Sequence, residues 1–185
     1  MNALVLTLLL SGAPGPKAAP PWEIFVGAQA GVRPESRGFG GVALFGVSRV
    51  FFGFLRPELS LGAGAYANST DVLTLFRGGV RLEWPGLTRW RPFISVDYAH
   101  QQEAGWEHVK AAPAQVLLGL GGVSHTGHAS SVRHRNGVET GLGAAFDFPV
   151  GRFALRLTIK ASWAHFFQAG PPNYVALTSL LGFCF

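Results

Sequence analysis

The last thirteen residues decide the fold: Asn173-Tyr174-Val175-Ala176-Leu177-Thr178-Ser179-Leu180-Leu181-Gly182-Phe183-Cys184-Phe185. Read with a period of two, one face carries Val175, Leu177, Leu181, Phe183 and Phe185, interrupted only by Ser179. The other face carries Tyr174, Ala176, Thr178, Gly182 and Cys184, interrupted only by Leu180. Successive side chains of a β-strand point to opposite faces, so this stretch predicts a strand with one apolar face and one small or polar face.

Seven earlier stretches show a similar alternation, although the second is apolar on both faces and cannot be oriented from its sequence. The eight predicted strands are 22–32, 38–50, 56–66, 72–84, 92–101, 136–148, 152–163 and 173–185. An even number of antiparallel strands brings both termini to one end of a closed sheet. The sequence therefore predicts an all-β fold, an eight-stranded antiparallel up-and-down transmembrane β-barrel.

The composition agrees with a barrel that crosses a membrane. Hydrophobic residues make up 48% of the chain and charged residues only 14%, against roughly 25% charged in an average soluble protein. The leucine-rich run at residues 3–10, broken only by Thr7, is too short to be a spanning helix. In hydrocarbon, an unpaired strand edge costs several kcal/mol per group, so a spanning sheet must close.

Other compositional features exclude several functions. The single cysteine, Cys184, excludes an internal disulfide and a cysteine-based zinc site. The net charge of +5 comes from scattered residues without a basic run, which gives nucleic-acid binding little support. The sequence predicts no cofactor.

A terminal strand of alternating apolar residues that ends on Phe resembles the C-terminal signature of bacterial outer-membrane β-barrels. The resemblance assigns an insertion signal to Leu181, Phe183 and Phe185. It implies that the barrel-assembly machinery and outer-membrane lipid are partners, and that the protein resides in the outer membrane of a Gram-negative bacterium. The whole strand pattern is similar to the small OmpA-like and opacity-like barrels, which implies a non-enzymatic protein with a structural or surface-interaction role and an unidentified extracellular partner.

The chain divides into a leader and one domain. Residues 1–19 have the short apolar run and small residues of a signal peptide. Residues 22–185 form the barrel, with short turns at one end and a long extracellular loop at about 102–135. The stretch 116–123 is either a further strand or part of that loop; we place it in the loop because a ninth strand would bring the termini to opposite ends.

The polar strand faces carry charges of both signs beside Gly and Ala, which suits a narrow lumen. We predict a lumenal ion-pair network that plugs the barrel; the alternative, that some of these groups reach water at the rims, stays open. The predicted members are Glu23, Glu58, Arg77, Arg81, Glu83, Asp97, Glu139, Asp147, Arg152, Arg156 and Lys160.

The competing fold is a soluble lipocalin-like barrel with an apolar interior. It is disfavoured because a soluble barrel with this much Phe, Leu and Trp facing outward would aggregate. Trp84 and Trp163, at strand ends, are where the aromatic girdles of a membrane barrel are expected.

The segment 165–173 looks like the His-x-Ser-Asn-Ala-Gly segment of outer-membrane lipid A deacylases. Only the histidine carries over, as His165, because Phe167 stands at the position of the nucleophile and no Glu follows Asp147. An imidazole without a nucleophile or an orienting acid has nothing to activate. We therefore predict no enzyme; a lipid-modifying barrel with a degenerate site is the alternative.

The long loop also concentrates histidines, whose imidazoles, with a carboxylate, are ligands for zinc or another divalent ion. The candidate ligands are His100, Glu103, His108, His125, His128 and His134. No motif spacing links them, so the sequence favours solvated loop residues and predicts no metal site.

Overall fold

The computed structural model describes residues 21–34, 38–67, 71–84, 90–111, 133–167 and 172–185. The predicted signal peptide at 1–19 and the ambiguous stretch at 116–123 lie outside these residues, as do His125 and His128. Those parts of the sequence analysis therefore stay predictions.

Eight antiparallel strands form one closed barrel, as the sequence predicts. Their bounds are β1 Trp22–Arg33, β2 Gly38–Arg49, β3 Leu55–Tyr66, β4 Asp71–Glu83, β5 Trp90–Gly105, β6 Arg133–Val150, β7 Phe153–Phe166 and β8 Asn173–Cys184. Each strand pairs with the next along the chain, and β8 pairs with β1 to close the ring. The closure is completed by two backbone hydrogen bonds between Trp22 and Phe185, with N–O distances of 3.1 and 2.9 Å.

One short helix, α1 (Trp106–Ala111), follows β5 and contacts β4 and β5. No helix in the described part of the chain is long and apolar enough to cross a membrane.

The two ends of the barrel differ less than the sequence suggests. The termini end holds Trp22, Phe185 and the connections 50–54, 84–89 and 151–152, while the loop end holds 34–37, 67–70, 106–132 and 167–172. At the loop end, 34–37 and 67–70 are only four residues each, no longer than the turns 50–54 and 84–89 at the termini end. The asymmetry rests on the 27-residue connection 106–132.

Large apolar side chains cover the outside of the barrel. Phe45, Leu61, Ile94, Leu142 and Leu177 are each at least half exposed, whereas most charged side chains of the strands, such as those of Arg56, Asp97 and Glu139, are buried in the lumen. This polarity is the reverse of that of a lipocalin, and the soluble alternative is therefore wrong. Trp84 is exposed at the termini end and Trp163 towards the loop end, as expected for two aromatic girdles.

The structure also orients β2, which is apolar on both faces. Val42 and Leu44 point into the lumen and are buried, whereas Phe39 and Phe45 point outward. The inward residues join Phe25 and Leu180 in an apolar cluster that fills lumen space between the charged groups.

The predicted loop at about 102–135 is too long at both ends. β5 continues to Gly105 and β6 begins at Arg133, because the β5–β6 ladder extends to the pair Glu103–Arg133. The sequence hides this extension since both faces are polar there: inward residues meet lumenal charges, and outward residues lie at the loop-end limit of the apolar band.

Candidate functional site: the charged lumen

Eight charged residues form the first of three lumenal groups, the termini-end cluster. Its members are Glu23, Arg56, Glu58, Arg81, Glu83, Arg91, Asp147 and Arg156. At its centre, Glu83 Oε1 accepts hydrogen bonds from Arg56 Nε and Arg156 Nη1, each at 2.8 Å. Four guanidinium groups face four carboxylates, so the cluster has no net charge.

Peripheral pairs tie this centre to the surrounding strands. Arg56 Nη1 lies 3.0 Å from Glu23 Oε2, and Arg156 Nε lies 2.6 Å from Asp147 Oδ1. Arg81 pairs with Glu58. With Arg91, which pairs with Asp147, the cluster thus joins side chains from β1, β3, β4, β5, β6 and β7 across the lumen.

A glycine makes room for this cluster. The backbone of Gly182 on β8 lies beside the Glu23 side chain, and a Cβ built at Gly182 would overlap the Glu23 carboxylate. A side chain at position 182 would therefore have to displace the Glu23 carboxylate from its hydrogen bonds with Ser48 and Arg56.

The middle cluster consists of Arg77, Asp97, Glu139 and Lys160. Lys160 Nζ lies 3.1 Å from Asp97 Oδ2 and 3.0 Å from Glu139 Oε1. Arg77 Nε lies 3.0 Å from Glu139 Oε2, and its Nη2 donates to Gln29. Two cations face two carboxylates, and all four side chains are buried.

The loop-end cluster is centred on Glu103 at the opposite mouth. Its carboxylate pairs with Arg33 and lies 3.7 Å from Arg133 Nη1 and 4.0 Å from Arg135 Nη1. Gln101 Nε2 donates to Glu103 Oε1 at 2.5 Å. Unlike the other two clusters, this one places three cations around one carboxylate.

Aromatic rings pack against several of the lumenal guanidinium groups. The Arg33 guanidinium carbon lies 3.8 Å from the Tyr66 ring centroid. The corresponding distances are 4.5 Å for Arg81 over Phe93 and 4.8 Å for Arg135 over Phe166. These contacts add cation–π attraction and fill the space beside each guanidinium group.

Ten of the eleven residues predicted for the lumenal network lie in these clusters, and Arg152 is the exception. Arg152 is exposed in the turn that joins β6 to β7, and its guanidinium carbon lies 4.8 Å from the Phe153 ring centroid. The prediction for Arg152 is wrong because β7 begins at Phe153, so the alternation of the strand does not reach back to the arginine.

Several lumenal charges were missed by the sequence analysis. They are Arg33, Arg56, Arg91, Glu103 and Arg135. Each lies at or near a strand end: Arg56 is the first residue of its predicted strand, and the other four lie just outside theirs. Extending the alternation would have found them, since Arg56 shares the parity of Glu58 and Arg135 that of Glu139.

The candidate metal ligands whose side chains the structure describes, His100, Glu103 and His134, do not form one group. Glu103 faces the lumen, whereas His100 and His134 lie on the outer face of β5 and β6. There, His134 Nδ1 is 3.5 Å from His100 Nε2, and His100 Nδ1 is 2.7 Å from Asn136 Oδ1. No cluster of three His, Cys, Asp or Glu suited to a metal occurs among the described residues. The side chain of His108 lies outside them.

His165 has an amide and two aromatic rings around it. Its Nδ1 lies 3.1 Å from Asn173 Oδ1, and its ring centroid is 5.8 Å from those of Trp163 and of Phe167. These neighbours provide neither a nucleophilic oxygen nor a carboxylate.

The residues of the predicted insertion signal share the outer face of the closing strand. Leu181, Phe183 and Phe185 are all exposed, and the Phe183 and Phe185 rings stack with a centroid distance of 6.0 Å. Their place on the surface is compatible with recognition during assembly, which stays a prediction.

No protein-family model matches the sequence, and no curated protein matches it. Among solved structures, it is similar to the Neisserial surface protein A, NspA, with a TM-score of 0.59, 7% identity, and coverage of 89% of this chain and 97% of that one. The chain has the fold of a small outer-membrane β-barrel.

Two further barrels give weaker superpositions. For the N-terminal β-barrel domain of OprF from Pseudomonas aeruginosa, the TM-score is 0.48 with 15% identity, covering 90% of this chain and 98% of that one. For Ail, the attachment invasion locus protein of Yersinia pestis, it is 0.46 with 12% identity, covering 90% and 99%.

Proposed function

We propose that this barrel is a non-enzymatic protein of the outer membrane of a Gram-negative bacterium, with a structural or surface-interaction role and a lumen closed to ions. The observation that carries the proposal is the pair of neutral, buried ion-pair clusters that cross the lumen at the termini end and in the middle.

Ion-pair geometry supports the closed lumen. An eight-stranded barrel leaves room inside only for packed side chains. Arg56 and Arg156 are fully buried, at 0% exposure, and removing either from Glu83 would leave a buried carboxylate less well compensated. Ions would have to separate these paired groups in order to pass.

The orientation rests on the 27-residue connection 106–132, because the long loops of such barrels face the outside of the cell. The termini end then lies in the periplasm and the loop end outside the cell. The connection 106–132 would be the largest surface available to an extracellular partner. Its sequence does not identify that partner.

Planar-bilayer recordings of the refolded protein test the closed lumen. We expect no steady single-channel current, in contrast to a porin inserted into the same membranes. Large, stable open levels at neutral pH would refute the proposal. Fractionation of native envelopes tests the location, and recovery in the inner-membrane or soluble fraction would count against it.

The absence of enzymatic function is proposed from the environment of His165. An imidazole paired with an amide and packed between rings lacks the partners that activate it for acyl transfer. We expect lipid A to have the same mass spectrum in cells that express the wild-type protein, His165→Ala or no barrel. Loss of an acyl chain only with the wild-type protein would establish the alternative, a lipid-modifying enzyme.

A further inference from the structure

The outer face near the termini end contains an apolar groove. It encloses about 420 Å³, within the range of small-molecule sites. Its lining residues are Trp22, Val47, Ser48, Arg49, Phe51, Pro57, Glu58, Leu59 and Gly79.

The groove exists for two reasons. β3 loses its hydrogen-bonded pairing with β2 near Pro57, and on its other side the neighbouring position of β4 has no side chain. Pro57 has no N–H to donate to a ladder, and the pairing of β2 with β3 ends at Ser48–Glu58. On the other side of β3, Leu59 is paired with Gly78 of β4 on the outer face, and Gly78 has no side chain to fill the space. The result is a depression whose walls are Val47, Pro57 and Leu59.

A cation sits at the rim of this depression. The Arg49 guanidinium carbon lies 4.9 Å from the Trp22 ring centroid and 4.8 Å from that of Phe51, and the side chain is exposed. Among the described residues, no carboxylate forms an ion pair with Arg49, whereas the lumenal clusters pair their cations. Within the part of the chain that the structure describes, the groove therefore has an unpaired positive charge at one end of an apolar trough.

The neighbouring turn places this rim at the edge of the membrane. Phe52, beside Phe51, is 84% exposed and has a φ of +54°, a conformation that a bulky side chain rarely adopts. Phe52 keeps its ring exposed despite this unfavourable backbone conformation. Such an exposed ring fits the membrane–water interface, where aromatic side chains are favoured. Arg49 then lies at the level of the lipid head groups.

We propose that the groove binds one anionic phospholipid from the leaflet at the termini end, with an acyl chain along Val47, Pro57 and Leu59 and its phosphate on Arg49. A guanidinium group donates two parallel hydrogen bonds to phosphate oxygens. The trough is continuous with the lipid-facing surface of β2 and β3, so acyl chains reach it from the bilayer. This site goes beyond the proposed function and requires only the membrane-spanning fold.

Native mass spectrometry of the refolded protein in micelles tests the site. Phosphatidylglycerol and phosphatidylcholine with identical acyl chains are titrated separately. We expect the wild-type protein to retain one phosphatidylglycerol more tightly than phosphatidylcholine. Arg49→Gln should weaken phosphatidylglycerol binding about fivefold, the effect of one cation near an anionic surface, and leave phosphatidylcholine binding nearly unchanged.

Two further variants separate this site from general lipid contact. Arg152→Gln removes another exposed termini-end arginine, one that also packs on a phenylalanine, and should change phosphatidylglycerol binding less than twofold. Val47→Trp fills the trough, keeps Arg49, and should weaken both lipids. Circular dichroism and heat-dependent gel mobility confirm that each variant is folded.

Three results would overturn the proposal. One is equal phosphatidylglycerol binding by Arg49→Gln and the wild type, and another is an equal loss in Arg49→Gln and Arg152→Gln, which would indicate bulk charge. The third is that the protein forms a dimer, and that Val47→Trp dissociates this dimer whereas phosphatidylglycerol does not. A second copy of the chain would then occupy the groove.

Discussion

At the scale of single residues, the location of a charged side chain in the lumen is easier to predict than its ion-pair partner. The sequence shows which residues share a polar face, and ten of the predicted lumenal residues lie in the lumen. The sequence does not show which residues form ion pairs, because the partners are far apart along the chain. Arg56 and Glu23 are separated by 33 residues, and Lys160 and Asp97 by 63. Closure of the barrel alone brings them together.

Glu83 is the residue whose loss should cost most. Its Oε1 atom lies 2.8 Å from guanidinium nitrogens of both Arg56 and Arg156, so Glu83→Gln leaves excess positive charge buried. We expect the free energy of unfolding to fall by about 3–5 kcal/mol, as when one partner of a buried pair is removed. Equilibrium urea unfolding in lipid vesicles measures this.

Arg152→Gln is the control for that measurement, since Arg152 is exposed in the β6–β7 turn. Its effect should stay within about 0.5 kcal/mol. An equally small effect of Glu83→Gln would show that the termini-end cluster contributes little to stability.

At the scale of elements, alternation predicts strands well where an apolar band meets a polar lumen. It fails where this contrast disappears, as in the last residues of β5 and the first of β6, which are polar on both faces. It fails differently in β2, which is apolar on both faces because Val42 and Leu44 pack in the lumen. Strand prediction from alternation is therefore limited by the difference in polarity between the lipid-facing surface and the lumen, not by strand propensity.

Two substitutions in the closing strand β8 place the same side chain, leucine, on the inner or on the outer face of the barrel. Gly182→Leu directs a side chain into the Glu23 carboxylate, and we expect loss of folded protein or destabilisation by about 1–3 kcal/mol, the range of overpacking in a core. Ser179→Leu directs the same side chain outward to lipid and should be neutral or stabilising. Refolding yield and urea midpoints distinguish them, and equal effects would argue against the assigned faces.

At the scale of the whole molecule, a substitution of Phe185 should impair assembly in cells without impairing refolding of the barrel. The backbone of Phe185, not its ring, makes the hydrogen bonds to Trp22 that close the barrel. Phe185→Ser should therefore refold in vesicles nearly as well as the wild type, yet accumulate several-fold less in the outer-membrane fraction of cells. Phe167→Ser, an exposed Phe at the loop end, should reach that fraction normally; equal accumulation of the two would remove the insertion signal.

The central claim is that hydrocarbon surrounds the barrel while its charged face is enclosed. Spin labels on single cysteines at Thr158, Ile159, Ala161 and Ser162 of β7, in a Cys184→Ser background and in lipid vesicles, test this most directly. We predict high collision rates with oxygen at the outward positions 159 and 161, and low rates at 158 and 162. High oxygen accessibility at 158 and 162, with a water-soluble nickel reagent reaching 159 and 161, would mean that the barrel is turned the other way.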